Sequence, residues 1–289
     1  MAGVLTRDLE RFSIKAPHLR NAAELEFVVG DFKGLSAENL RYDYALHAAT
    51  ETSRDNAQID PLALLERNIE GTRRFLQLVR SAGVRKFIFT SSGAVYGEQP
   101  SDLPRIAEHH RYAPDPVSAR SAYGESKRIS ELLCALESVP GKCEGKIARC
   151  FAFVGPHLAL SANYAIGNFL GDALRGGPLK ISGDGTPRRS YLYAADLAVW
   201  LWTLLFRGQS GQAYNVGAEE DYSILEVAST VRDVVCPNAQ ILLAKAPATG
   251  MPISRYVPDT TKARAEFRLE ARVALVDALG RTAAWHRHS

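Results

Sequence analysis

The chain has 289 residues, of which 46% are apolar and 23% charged, enough for one large or two modest cores of an ordinary globular protein. Its 35 basic and 32 acidic residues are dispersed and leave a formal charge of +3. That small balance gives no electrostatic reason to expect nucleic acid or a membrane surface as partner.

Glu26-Phe27-Val28-Val29 is a short apolar run closed by Gly30-Asp31, which predicts a strand and a turn. Residues 44–49 predict a second strand whose last residues are small. Pro61 opens a periodic helix over 61–82, stopped before Gly83. Residues 86–91 form a continuous β-rich run suited to a strand buried on both faces. A helix over 121–136 and a strand over 146–154, ended by Gly155-Pro156, complete the alternation. Strands alternating with helices imply an α/β fold: a parallel sheet with helices on both faces.

After Pro156 the rhythm changes to shorter elements and a Gly183-Asp184-Gly185 turn. Residues 1–156 are expected to form the first domain and 157–289 a smaller, substrate-binding region, with some later segments returning to the first. Residues 197–206 are too short to cross a bilayer and read as a buried helix, with Trp200 and Trp202 in the core. Cys134, Cys143, Cys150 and Cys236 form no Cys-x-x-Cys pair, which predicts small buried side chains in a reducing, cytoplasmic compartment. His47, His109, His110 and His157 have no metal-ligand spacing, so no metal is expected.

The chemistry is concentrated in Tyr123-Gly124-Glu125-Ser126-Lys127, preceded by the strand that ends in Ser91-Ser92. Tyr123 and Lys127 stand one helical turn apart on one face. A free phenol ionises near pH ~10, too high for a base at neutrality. An ammonium group close by favours the phenolate and is expected to lower that value. The Ser92 hydroxyl can bond the same substrate oxygen. Together the three side chains point to hydride transfer at an alcohol or ketone. Beside Lys127, Glu125 reads as a surface carboxylate.

These segments, with Gly30-Asp31, His47-Ala48-Ala49-Thr50, Asn68-Ile69-Glu70-Gly71-Thr72, residues 149–156 and 189–196, Tyr214-Asn215-Val216-Gly217 and Arg255-Tyr256-Val257-Pro258-Asp259, occur in the order of a known family. The chain resembles the extended short-chain dehydrogenase/reductases, the nucleotide-sugar epimerase and dehydratase group. The resemblance implies a Rossmann-like doubly wound sheet, NAD or NADP (NAD slightly favoured) as cofactor, a nucleotide-sugar substrate and a homodimer built on the helices at 62–82 and 121–136. It implies a catalytic set of Ser92, Tyr123 and Lys127. Cofactor contacts would come from Asp31, Phe32, Ala48, Ala49, Thr50, Tyr123 and Lys127, and substrate contacts from Ser92, Tyr123, Arg189 and Arg255. Asn68 would orient backbone. Arg7 could accommodate an NADP phosphate, but Asp8 follows it, and the preference between the two cofactors stays open.

Three departures from the family pattern stand out. No Gly-x-x-Gly-x-x-Gly or Gly-x-Gly-x-x-Gly occurs in the sequence, and residues 1–7 read like the family's second strand. The central strand and its phosphate-binding turn are therefore expected to be missing, through a misplaced start or a shortened form. Gly93 and Ala94 stand where the 4,6-dehydratases carry an Asp-Glu pair, which argues against dehydration by that route. Ala152 stands where many relatives have a substrate-binding asparagine. The expected activity is epimerisation or oxidoreduction of a nucleotide-linked sugar; the alternatives are a dehydratase-like enzyme and a non-catalytic relative that binds ligand or partner.

Overall fold

The computed structural model describes residues 1–31, 40–51, 60–139, 141–161, 164–246 and 250–288. In chain order the elements are β1 (Ala2–Thr6), α1 (Leu9–Lys15), β2 (Leu25–Val29), β3 (Tyr44–His47), α2 (Pro61–Ser81), β4 (Lys86–Ser92), α3 (Ala122–Glu137), β5 (Glu144–Cys150), β6 (Phe153–Val154) and α4 (Ala165–Leu174). There follow β7 (Leu179–Ile181), β8 (Arg188–Ser190), β9 (Leu192–Tyr193), α5 (Ala194–Arg207), β10 (Ala213–Val216), β11 (Asp221–Ser223), α6 (Ile224–Val235), β12 (Ile241–Leu243), β13 (Arg255–Tyr256), α7 (Thr261–Phe267) and α8 (Leu275–His288).

The centre is a parallel four-stranded sheet in the order β10-β5-β4-β3. Alternate residues of β4 serve opposite faces. Phe87 and Phe89 pack with Phe75, Leu76, Val79 and Cys134 under α2 and α3, while Ile88 packs with Trp200, Leu204 and Tyr214 on the α5 side. Each such fully buried side chain contributes about 2 kcal/mol, and burial on both faces is why β4 reads as an unbroken apolar run. A later segment joins this sheet: β10 pairs with β5. A second core, with Ile166, Phe169, Leu170, Val227, Val231 and Leu279, unites α4, α6 and α8. The expected strand over 146–154 is divided. The chain leaves the sheet at Phe151, and β6 pairs with β9 instead.

β1 and β2 form a separate parallel pair. A Cβ at Gly3 of β1 would run into the phenol of Tyr42, just ahead of β3. Beyond the other ends of the two strands, Arg7 faces Glu51 at 3.9 Å. β1 and β3 thus run side by side in one direction, bridged by long side chains at both ends. Among the described residues no strand pairs with either facing edge, and Tyr44 and Leu46 of β3 are exposed.

α5 corrects one core assignment. Trp200 is buried, but Trp202 is 55% exposed and stacks on Phe206 with ring centroids 5.6 Å apart. Two residues along a helix turn the side chain by about 200°, so both cannot face one core. All four cysteines are free, and only Cys134 is fully buried. No helix among the described residues is long and apolar enough to cross a membrane.

Candidate active site

In a parallel sheet every strand delivers its carboxyl end to one rim. Here that rim receives Ser92 from β4, Cys150 and Phe151 from β5, and Ala48, Ala49 and Thr50 from β3. Ser92 caps a single turn at Gly93–Tyr96, its Oγ accepting the Ala94 N–H at 3.1 Å. The first two turns of α3 lie against this turn and β4. The Tyr123 phenol lies close enough to Ser92 for that hydroxyl to act on its ionisation. Lys127, only 2% exposed, donates from Nζ to the Thr90 carbonyl at 2.8 Å and lies 4.7 Å from the Phe89 ring centroid. The same Nζ is 5.9 Å from the Tyr123 ring centroid. The fold therefore brings Ser92, Tyr123 and Lys127 together.

The electrostatics correct one expectation. Burial pushes the Tyr123 phenol above its ordinary value, with the Ser92 hydroxyl opposing the effect and neighbouring Tyr256 and Tyr164 adding to it. Burial also lowers Lys127 to about 8. Its ammonium donates to a backbone carbonyl and lies over the Phe89 ring, and burial outweighs any charge effect on the Tyr123 phenol.

Around the three residues the supports are polar and buried. Asn68 of α2 donates from Nδ2 to Ser126 Oγ at 3.2 Å and to the Glu51 carbonyl at 3.1 Å. Its Oδ1 accepts the Glu51 N–H at 3.0 Å and the Thr50 hydroxyl at 3.2 Å. Asn68 thus fastens the segment after β3 to α3, one residue from Lys127. Beneath Ser92, Ser91 donates to Glu131 at 2.6 Å, and Glu131 holds Arg149 through two guanidinium nitrogens at 2.7 and 3.0 Å. Arg149 continues to the Tyr96 hydroxyl, and Tyr96 to Asn215, both at 2.9 Å. His47 is buried beside Lys127, and desolvation lowers it to about 3, so it is neutral.

The remaining sequence assignments are more scattered. Asp31 is exposed just past β2, and Phe32 lies outside the described residues. Ala48, Ala49 and Thr50 are exposed along the rim. Arg7 faces Glu51, while Asp8 caps α1 by accepting the Arg11 N–H at 2.8 Å. Glu125 pairs with Arg128 at 3.5 Å. Arg189 donates to the Arg188 carbonyl at 2.7 Å, with its guanidinium carbon 6.0 Å from the Tyr256 ring centroid. Arg255 is committed to Asp221 at 3.0 Å, and Arg188 to the same carboxylate. Sequence reasoning missed Tyr164 and Tyr256 near Tyr123, and Phe151, whose ring leans on that of Tyr256. Tyr256 lay inside the quoted Arg255–Asp259 segment, where alternation along a short strand put it on the face opposite Arg255.

A parallel α/β sheet that brings a buried Ser92 and Lys127 and a half-buried Tyr123 to its carboxyl rim defines a short-chain dehydrogenase type of protein. The NAD dependent epimerase/dehydratase family matches this chain over residues 9–217, and the chain belongs to that family. UDP-glucuronic acid decarboxylase 4 of Arabidopsis thaliana is 32% identical over 236 residues, covering 82% of this chain and 52% of that protein. The chain thus spans about half the length of the curated relatives it matches first. Among solved structures, a double mutant of a dTDP-glucose 4,6-dehydratase from Streptomyces venezuelae, with NAD bound, superposes with TM-score 0.82 at 27% identity, covering 99% of this chain and 87% of that one. UDP-glucuronic acid 4-epimerase from Bacillus cereus, in complex with NAD, gives 0.78 at 23% identity over 96% of this chain and 85% of that one, a likeness of fold.

Proposed function

We propose that the chain is an NAD(P)-dependent oxidoreductase or epimerase acting on a hydroxyl or keto group of a nucleotide sugar. The observation that carries this reading is the convergence of Ser92 and Tyr123 at the sheet rim, with Lys127 buried one turn further along α3 and its Nζ 5.9 Å from the Tyr123 ring centroid. The residues present fit the two ends of a dinucleotide. Lys127 would meet the nicotinamide ribose hydroxyls, and the small Ala48 and Ala49 let the backbone come close at the rim. Asp31 would take the adenine end. The bound dinucleotide would supply a hydride acceptor and, when oxidised, a positive ring next to the Tyr123 phenol. A positive charge brought there would offset the desolvation that holds the phenol protonated. Tyr123 then takes the hydroxyl proton of the sugar at its phenolic oxygen, and Ser92 holds the sugar oxygen in line. Arg189 would clamp the diphosphate, its planar fork suited to two bonds at once. Arg255 would assist only by sharing its charge with Asp221. Residues 157–289 would form most of the sugar-nucleotide side and residues 1–156 the dinucleotide side.

A homodimer is part of the proposal. Leu62 on α2 and Ile129, Leu132 and Leu136 on α3 are exposed apolar residues on two helices packed against each other, a surface that suits a second copy. Glutamate at Leu132 and Leu136 should leave a monomer by sedimentation. Free cysteines agree with a cytoplasmic setting. The second reading, a relative that binds without turnover, is favoured by one observation: the unpaired facing edges of β1 and β3. The test is calorimetric titration with NAD and NADP, followed by mixing with UDP-glucuronic acid or dTDP-glucose while watching reduced nicotinamide appear. Binding with reduction supports the enzyme, and binding without reduction of either sugar supports the second reading.

A further inference from the structure

Directly after Ser92 the space above Gly93 is already filled. A Cβ at Gly93 would lie 2.8 Å from the Phe151 ring and 2.8 Å from the Tyr256 hydroxyl. The two rings lean on each other with centroids 4.7 Å apart. Neither is loosely held. Phe151 has its N–H on the Val216 carbonyl at 3.0 Å, and its ring packs with Val95, Tyr96 and Ile106. Tyr256 sits in β13, in register with Arg189 of β8.

The Tyr256 hydroxyl lies 3.3 Å from Ser92 Oγ. A serine hydroxyl has one hydrogen and two lone pairs. One lone pair already accepts the Ala94 N–H. If Tyr256 donates to the other, the Ser92 hydrogen is left for Tyr123 or for a substrate oxygen. The rotor is then fixed in the sense that helps a carbinol oxygen. Tyr256 also connects this rotor to the Arg189 side, since the guanidinium lies over its ring.

We propose that Phe151 and Tyr256 are specificity-determining residues of this site: together they close the volume above Gly93 to any acid–base side chain, and Tyr256 orients the Ser92 hydroxyl toward the reacting oxygen. Elimination of water needs a carboxylate or similar group within reach of the carbon beside the ketone. With that volume taken by two rings, the pocket is restricted to chemistry at the carbinol or ketone oxygen itself. The inference deepens the oxidoreductase reading above and rests on it for the role of Ser92.

Two measurements test it, one without turnover. Gly93→Ala should lower Tm by about 5 °C through overpacking, and that loss should fall by at least half when Gly93→Ala is made in a Phe151→Leu, Tyr256→Phe background. In reactions with NAD and UDP-glucuronic acid, Tyr256→Phe should lower kcat about tenfold, with KM changed less than twofold. Added to Ser92→Ala, it should lower kcat no further, because its effect runs through Ser92. Gly93→Ala with wild-type stability, or with an undiminished loss in the altered background, overturns the packing argument. Independent, multiplying effects of Tyr256→Phe and Ser92→Ala overturn the orienting role. A wild-type protein inactive with every nucleotide sugar tells against the oxidoreductase reading instead, and the stability comparison then decides the packing argument by itself.

Discussion

Replacing Glu131 by glutamine should destabilise the protein by about 3 kcal/mol, the lower end for stranding one member of a buried ion pair. The magnitude follows from the surroundings. Arg149 and Glu131 have side chains 17% and 10% exposed, so little water screens them. Arg149 reaches both carboxylate oxygens, at 3.0 Å and 2.7 Å, and Ser91 adds a hydroxyl at 2.6 Å. Its other contacts, the Tyr96 hydroxyl at 2.9 Å and the Glu108 carbonyl at 3.4 Å, are neutral. Glutamine removes the charge and turns an amide NH2 toward either the guanidinium or Ser91, where an acceptor is required. For a chain of this size 3 kcal/mol corresponds to a fall in Tm of roughly 8 °C, readable by calorimetry. Removing both charges, Glu131→Leu with Arg149→Met, should recover at least half of that loss, since no stranded ion remains. A Glu131→Gln protein melting within about 2 °C of wild type, or a double variant less stable than the single one, would refute the reasoning.

Two further outcomes follow from the same geometry. His47 is held at about 3 by burial, well below the ~6.5 of an unfolded histidine. The unfolded chain therefore takes up a proton first, and stability falls as pH drops from 6.5 toward 3. The loss at pH 5 is about 2 kcal/mol, and comparing urea unfolding of wild type and His47→Phe across that range should show the flatter slope in the variant. Equal slopes would mean that the imidazole is charged or reached by water. Asn68→Ala should release the Thr50–Glu51 backbone from α3. It should weaken NAD binding in calorimetry about tenfold while Tm falls only a few degrees; unchanged affinity would show that the segment holds its shape unaided.

Much of the first sheet was legible because each strand there obeys one local rule. β4 is buried on both faces and reads as an unbroken apolar run, and α2 begins at a proline and stops before a glycine. The candidate serine, tyrosine and lysine could be picked out because one helical turn and one strand end fix their spacing. The expectation of a missing middle strand came from the resemblance alone; among the described residues no strand pairs with the facing edges of β1 and β3. What local pattern could not give was context. Residues 146–154 look continuous, yet the sheet ends at Cys150 because Phe151 turns into the site. Trp202 is apolar, but its face of α5 meets no core. The direction of the Tyr123 shift depends on how deeply the phenol is buried and on where the Lys127 ammonium points, and neither is encoded by a four-residue spacing.

The most direct test of the account is the rate at which reduced nicotinamide forms in a single turnover when the protein, loaded with NAD, is mixed with a nucleotide sugar that it oxidises. Wild type is compared with Tyr123→Phe. The account predicts a rate at least ~100-fold lower in the variant, the scale of a lost general base, with sugar and NAD still bound. A variant that reduces NAD as fast as wild type would contradict it.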